Sequence, residues 1–401
     1  MRRLRILLAA VSLLAAPACL SFEYDHEDWT RQPQLSLLLA YLNRACVRDW
    51  TLVGPAYWPC FQEELNRVAA LGASDAPTAS QTGNYTSFTK WAGSVLAPNG
   101  KIYGIPYTQT AVLKIDPDTD TTTTFGSLAG SGKWAGGVLA PNGKIIGIPH
   151  DATTILEIDP ETDTATTFGT VSANTFKWRG GVLAPNGKIY GVPVNEATIL
   201  EIDPVARTAS TFGTVPTTDQ FTGGVLGADG LIYCMPRNNT QVMIIDPEAR
   251  SVSFTGNFAG VQKWSGGVLN PAGKIYGSPY GSDLVLEFDP TTMAGSTFGG
   301  ISTSTTKFMG GVYSPDGKIY GVPYRRDEVL ITDPTAQTVA FITPTPETGN
   351  QKWFGGTLAP NGKIYMPPYG LGTASTILII DTKANGTLDI NVLLSAYYNK
   401  F

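Results

Sequence analysis

From Lys90 to the C-terminus the hydrophobic positions come in short runs that return at a fixed period. Copy two shows the unit: Lys133-Trp134-Ala135-Gly136-Gly137-Val138-Leu139, Pro141-Asn142-Gly143, Lys144-Ile145-Ile146-Gly147-Ile148-Pro149, Ile155-Leu156-Glu157-Ile158-Asp159-Pro160, and a Thr-rich stretch from Thr164 to Gly169. The first glycine of each pair falls at Gly93, Gly136, Gly180, Gly223, Gly266, Gly310 and Gly355, spacings of 43, 44, 43, 43, 44 and 45. Copies start near residues 90, 133, 177, 220, 263, 307 and 352 and fill 90–401.

Each copy reads as four strands. Strand A is the Gly-Gly-Val-Leu run; it ends at Pro-Asn-Gly, a hairpin signal because Asn and Gly tolerate positive φ. Strand B is Lys-Ile-Tyr-Gly-x-Pro, strand C is Ile-Leu-Glu-Ile closed by an Asp-Pro turn, and strand D is the Thr-rich run ending at Phe-Gly. No copy holds a window of helical period. Strands this apolar need cover on both faces, which a lone four-stranded sheet lacks and a closed ring of sheets supplies. The expectation is an all-β chain: a seven-bladed β-propeller of four-stranded antiparallel blades, with an open β-solenoid as the alternative. Thr387 to Val392 is expected as strand D of blade seven, and the closing Tyr397 to Phe401 against a blade edge.

Ahead of the repeat the pattern changes. Arg2, Arg3 and Arg5, an uncharged run from Ile6 to Ala16 and a small-residue end at Ala18 match an export signal over residues 1–18, too short to span a bilayer. The next residue is Cys19, where a bacterial lipoprotein signal would place its acylated cysteine. Residues 19–89 form a leader with helix-like spacing at Leu35–Ala45 and Phe61–Ala70 and a linker-like stretch from Ala73 to Thr82, a small helical cap or stalk. Cys46 and Cys60 could close a loop there in an oxidising compartment, and Cys234 reads as a buried, inert thiol.

Composition narrows the function. The 401 residues carry 28 basic and 33 acidic groups, a net charge of −5, with 44 Gly and 28 Pro and only two His. A mildly acidic chain with no basic block argues against nucleic-acid binding. Two histidines and no CxxC pair leave little for metal or triad chemistry, so neither a metal nor a cofactor is expected. Asp116-Pro117-Asp118 could suggest a calcium loop, but copy three has Asp203-Pro204-Val205 in its place, so turn capping is the better account.

In an up-and-down blade the B–C and D–A loops share one face, and the length changes fall there, where binding residues tend to sit. Lys90, Lys133, Lys177, Lys263, Lys307 and Lys352 precede strand A in six copies, each followed by Trp or Phe. They read either as a ring of ammonium groups around a pocket mouth or as blade-building residues whose stems lie beside the aromatic ring. Residues that differ between blades are the better ligand candidates: Tyr107, His150, Arg237, Tyr280, Tyr324 and Tyr369 after the strand-B proline, with Arg325 beside them.

Gly-Val-Leu-Ala-Pro-Asn-Gly-Lys-Ile-Tyr-Gly, then Ile-Leu-Glu-Ile-Asp-Pro and Thr-Phe-Gly, resembles the NHL-type propeller repeat, a layout shared with the virginiamycin B lyase and gluconolactonase propellers. That resemblance rests on blade-building positions and implies fold far more than activity. It implies metal ligands at the axis for gluconolactonase-like members and a His-containing site for lyase-like ones; neither set can be placed here residue by residue. The expectation is therefore an exported, monomeric protein of the cell envelope or surface, or a secreted one. It meets the membrane only through a lipid on Cys19 and acts as a non-enzymatic module for a glycan, peptide or protein partner, with no catalytic residue assigned. The alternative is a metal-dependent lyase or lactonase using His150, Glu196, Asp283 and Asp327.

Overall fold

The computed structural model describes residues 49–86, 90–216, 219–302, 306–343, 347, 349–370 and 375–398. The expected signal, Cys19, Cys46 and the expected helix at Leu35–Ala45 lie outside the described residues, so the Cys46–Cys60 pairing does too. Seven four-stranded antiparallel sheets are present, six of them built from four consecutive strands. Blade one runs Trp91–Leu96, Ile102–Pro106, Val112–Asp116 and Thr121–Phe125, and blades two to six repeat that layout.

Blade seven departs from the expectation. Its three inner strands are Thr357–Leu358, Lys363–Met366 and Ile377–Asp381, and its outer strand is Thr78–Thr82 from the leader, paired with register Ser80↔Ile379. The residues expected to be that strand instead form a short helix α2, Ile390–Leu394, capped by the Asp389 carboxylate on the Asn391 N–H; the longer α1, Trp58–Ala69, belongs to the leader. Blade seven also meets blade one directly. Gly93 N–H donates to the Phe354 carbonyl at 2.9 Å, the Ser94 and Thr357 hydroxyls lie 2.7 Å apart, and Lys363 pairs with Asp120 at 2.8 Å. The ring is closed.

The repeated motifs hold neighbouring blades together. Asn99 of the Pro-Asn-Gly turn donates to the Pro160 carbonyl of the next blade's Asp-Pro turn, and Tyr103 of strand B donates there as well. Asn186 with Tyr190 on Pro247, and Asn361 with Tyr365 on Pro117, repeat the arrangement. The turn aspartates cap their own turns: Asp159 accepts from Glu161 N–H and Asp203 from Val205 N–H, each at 3.0 Å. These carboxylates are turn-closing groups in every such copy.

The leader covers the hairpin-turn face. Gln62 of α1 donates to the Pro271 carbonyl of blade five, Gly54 lies against Pro185 of blade three, and Ala69 against Gly317 of blade six. Of the segment expected on a blade edge, Tyr397 and Tyr398 are described and lie elsewhere, the Tyr398 hydroxyl donating to the Tyr313 carbonyl at the end of an inner strand. Tyr397 packs on Trp58 and Phe61 with ring centroids 5.1 and 5.6 Å apart, and its hydroxyl accepts the Gly54 N–H. With Ala396 it meets the inner strands of blades two to four at Val138, Gly181 and Gly224. Leader and C-terminus together plug one end of the central channel.

Candidate functional site

The opposite end is open, and its geometry begins with the glycine pair. The first glycine of each pair has φ between +71° and +85°, a conformation that L side chains rarely adopt. It makes a bulge in strand A: in blade three Trp178 pairs with Pro193 and the next pair is Gly181↔Gly191. The residue between the aromatic and the bulge is thereby aimed at the axis. Around the ring these residues are Ala92, Ala135, Arg179, Thr222, Ser265, Met309 and Phe354. Ala92, Ala135, Met309 and Phe354 converge in one buried cluster with Tyr280 and Tyr324.

Arg179 is the charged member of that set. From blade three its guanidinium reaches across the axis to stand 5.8 Å from the Phe354 ring of blade seven. Its Nη2 lies 3.2 Å from His150 Nε2. A guanidinium can only donate, so Nε2 is the acceptor and the proton sits on Nδ1. Nδ1 in turn faces Asp151 Oδ1 at 2.9 Å, out of line for a full hydrogen bond. Burial lowers the His150 pKa below its ordinary 6.5, Asp151 opposes that and Arg179 adds to it, so the ring is neutral at pH 7. Among the described residues no carboxylate forms an ion pair with Arg179.

Above Arg179 opens a cavity of about 540 Å³, lined by Tyr107, Tyr280, Tyr324 and Tyr369, by Met309 and Phe354 deeper in, and by Phe176, Val194, Asn195, Asp219, Arg237 and Gln351. Tyr107, Tyr369 and Tyr324 form a tilted arc, with centroids 5.4 and 6.2 Å apart. Burial raises all three phenols above their ordinary 10, so they stay protonated. Arg237 pairs with Asp219 at 2.8 Å and lies 4.5 Å over the Tyr280 ring. Phe176 stands on the rim, exposed, with φ +53°, its ring 4.8 Å from that of His150.

Five of the expected ligand residues therefore line the cavity: Tyr107, Arg237, Tyr280, Tyr324 and Tyr369. His150 is fully buried behind the wall, between Tyr107 and Phe176. Arg325 is exposed and does not line the cavity, while Arg326 pairs with Glu328.

The six lysines are not at the mouth. Lys90, Lys133, Lys177, Lys263, Lys307 and Lys352 are all buried. Lys133 donates to the carbonyls of Gln109 and Gly130 at 2.9 Å each and to Tyr107 at 3.2 Å; Lys263 makes the equivalent set to Asn239, Gly260 and Arg237. Lys177 donates to the Asn174 carbonyl, Lys307 pairs with Asp283 and Lys352 with Asp327. The ammonium groups of Lys133, Lys177, Lys263, Lys307 and Lys352 each donate to at least one loop carbonyl. Burial lowers the pKa of Lys133 and Lys263 to about 8.

The residues considered for an enzyme do not meet. Glu196 accepts from Asn174 and Ser172 in a groove between blades, and Asp283 and Asp327 are held by lysines. Among the described residues no group of three or more His, Cys, Asp or Glu could hold a metal ion. Arg179 was missed in the sequence because it sits inside the most regular stretch of the repeat. Its signal was available: one charged residue at a position otherwise Ala, Thr, Ser, Met or Phe.

No family model matches the chain, and no curated protein is similar to it in sequence. Solved structures are similar in fold. A streptogramin B lyase superposes with a TM-score of 0.64 at 13% identity, covering 77% of this chain and 99% of that one. Virginiamycin B lyase from Staphylococcus aureus gives 0.63 at 12%, covering 76% and 99%. Hydrazine synthase of Kuenenia stuttgartiensis gives 0.61 at 13%, again 76% and 99%. Identities this low carry the fold alone: the chain is a seven-bladed β-propeller with the blade arrangement of these proteins.

Proposed function

We propose that this protein is an exported binding module that captures an anionic ligand in the open end of its central channel. The observation that carries this reading is Arg179, a guanidinium held across the axis at the base of an aromatic cavity, with a neutral imidazole rather than a carboxylate beside it. A cavity of about 540 Å³ lies within the range of about 300–1,000 Å³ usual for small-ligand sites. A guanidinium presents paired N–H groups that match a carboxylate. The basic, apolar and small-residue order of residues 1–18 supports export, and Cys19 supports a lipid anchor.

The lyase alternative is weaker on chemical grounds. His150 Nε2, the lone pair a general base would use, accepts from Arg179, and the ring is sealed from the cavity by Tyr107 and Phe176. The test is calorimetric titration of small carboxylates and phosphate against neutral analogues, with the wild-type protein and with Arg179→Gln. Binding of an anion that the variant loses supports the reading. Equal binding by both proteins, or no anion bound at all, overturns it.

A further inference from the structure

We propose that the ligand is the terminal acidic sugar of a glycan, taken end-on: a pyranose whose carboxylate meets Arg179 and whose ring lies among the tyrosines. The inference rests on the anion-binding reading above and adds the ligand class and the mode of entry.

Three observations carry it. The first is that the channel is blind. Its far end is filled by Tyr397 and Ala396 packed beneath α1, so nothing threads through, and what enters from the loop face stops at Arg179. A blind pocket accepts a chain end and excludes the interior of a polymer.

The second is the composition of the wall. The Tyr107 and Tyr369 hydroxyls bond each other and Asn195 Oδ1 accepts from the Asp219 N–H; a planar aromatic acid would use the rings but bring no hydrogen-bonding edge to the Tyr324 hydroxyl and the Gln351 amide. A sugar supplies C–H faces to the rings and hydroxyl groups to those donors and acceptors at once.

The third is the distribution of charge in the lining. Arg179, with no carboxylate ion pair among the described residues, stands beside the buried Phe354 ring. Arg237, the other arginine of the lining, is already neutralised by Asp219. One uncompensated cation matches one carboxylate on the leading sugar, with neutral hydroxyls above it. Phe176, exposed on the rim where the equivalent loop residues of blades three to six are Asp219, Gln262, Thr306 and Gln351, gives the second sugar a face to stack on.

The experiment uses the full mature chain and four probes: methyl β-glucuronide, methyl β-glucoside, acetate, and a long polygalacturonate. The expected result is that the glucuronide binds, the glucoside and acetate bind at least about 10-fold more weakly, and the polymer binds one protein per chain. Arg179→Gln lowers glucuronide affinity by about 10- to 100-fold, the range for a hydrogen-bonded charged group. Phe176→Ala weakens a diuronide more than the monosaccharide. An unchanged urea midpoint in both variants shows that they fold.

Equal binding of acetate and glucuronide, or many proteins along each polymer chain, overturns the end-on sugar while leaving an anion site. No carboxylate bound by the wild-type protein overturns both readings.

Discussion

At the scale of single residues, the repeat uses lysine as an internal tie. An ammonium with three donors satisfies three carbonyls at the blade junction, which no apolar residue can do. Lys133→Met keeps most of the stem's packing and removes the ammonium that donates to the Gln109 and Gly130 carbonyls. We expect a loss of about 1–2 kcal/mol in urea unfolding, from hydrogen bonds to part-buried carbonyls that the ammonium no longer makes, and unchanged ligand affinity. A surface-ring role for this lysine would give the opposite pattern.

Protonation adds a second residue-scale prediction. Lys133 and Lys263 have folded-state pKa values of about 8, below the unfolded value of 10.5. Between those values the unfolded chain holds protons that the folded chain has released, so stability rises with pH. The cost of the buried charge is fully present below about pH 8. We expect the urea midpoint to climb from about pH 8 to about pH 9.5, before tyrosines of the unfolded chain begin to ionise. In a Lys133→Met/Lys263→Met double variant that rise should be smaller than in the parent; an equal rise would contradict the assignment.

At the scale of strands and turns, the blades are matched pair by pair. The third position of strand C faces the left-handed residue of the next blade's C–D turn. Lys114 meets Asp163, Glu157 meets Arg207, and Glu201 meets Arg250. In these three pairs the charges are opposite; in blade five the acidic Glu287 meets the neutral Gln337, which donates its amide at 3.2 Å. Glu157→Arg and Arg207→Glu should each destabilise, and the double variant should recover most of the loss. Because Arg207 is half-exposed, the coupling should be about 0.5–1 kcal/mol. No recovery in the double variant would mean that these contacts do not discriminate between blades.

Much at this scale was legible in the sequence. The Pro-Asn-Gly hairpin, the Asp-Pro turn and the four-strand unit follow from local chemistry that each copy repeats, and the ring follows from strands apolar on both faces. The site was legible only in part. Residues after the strand-B proline were found because they vary openly between copies. Arg179 was hidden because the Gly-Gly bulge, a feature of backbone geometry, decides that its position faces the axis. The lysines misled for a related reason: a charged residue in a loop suggests solvent, and the free carbonyls that draw it inward are invisible in one dimension.

At the scale of the whole molecule, closure joins the two ends of the chain. The outer strand of blade seven comes from Thr78–Thr82, which carries no local mark distinguishing it from a linker; its partner at Ile377–Asp381 is some 300 residues away. Long-range pairing of that kind is set by the edge a seven-blade ring leaves open. Of two adjacent strand residues, one turns its N–H into the ladder. Proline placed singly at Ala79 and Ser80 should therefore lower the urea midpoint clearly at one position and little at the other. Equal, negligible effects at both would argue against the closing strand.

The central claim is that Arg179, held across the axis above a plugged channel, receives the ligand's charge. The most direct measurement is NMR of the arginine side-chain Nε–H signals in protein labelled with nitrogen-15 at arginine, with Arg179→Gln assigning its resonance, during titration with methyl β-glucuronide. The account predicts that the Arg179 signal shifts most and saturates with the binding curve, while Arg325 and Arg326 stay in place. Saturable binding with the Arg179 signal unmoved would contradict it.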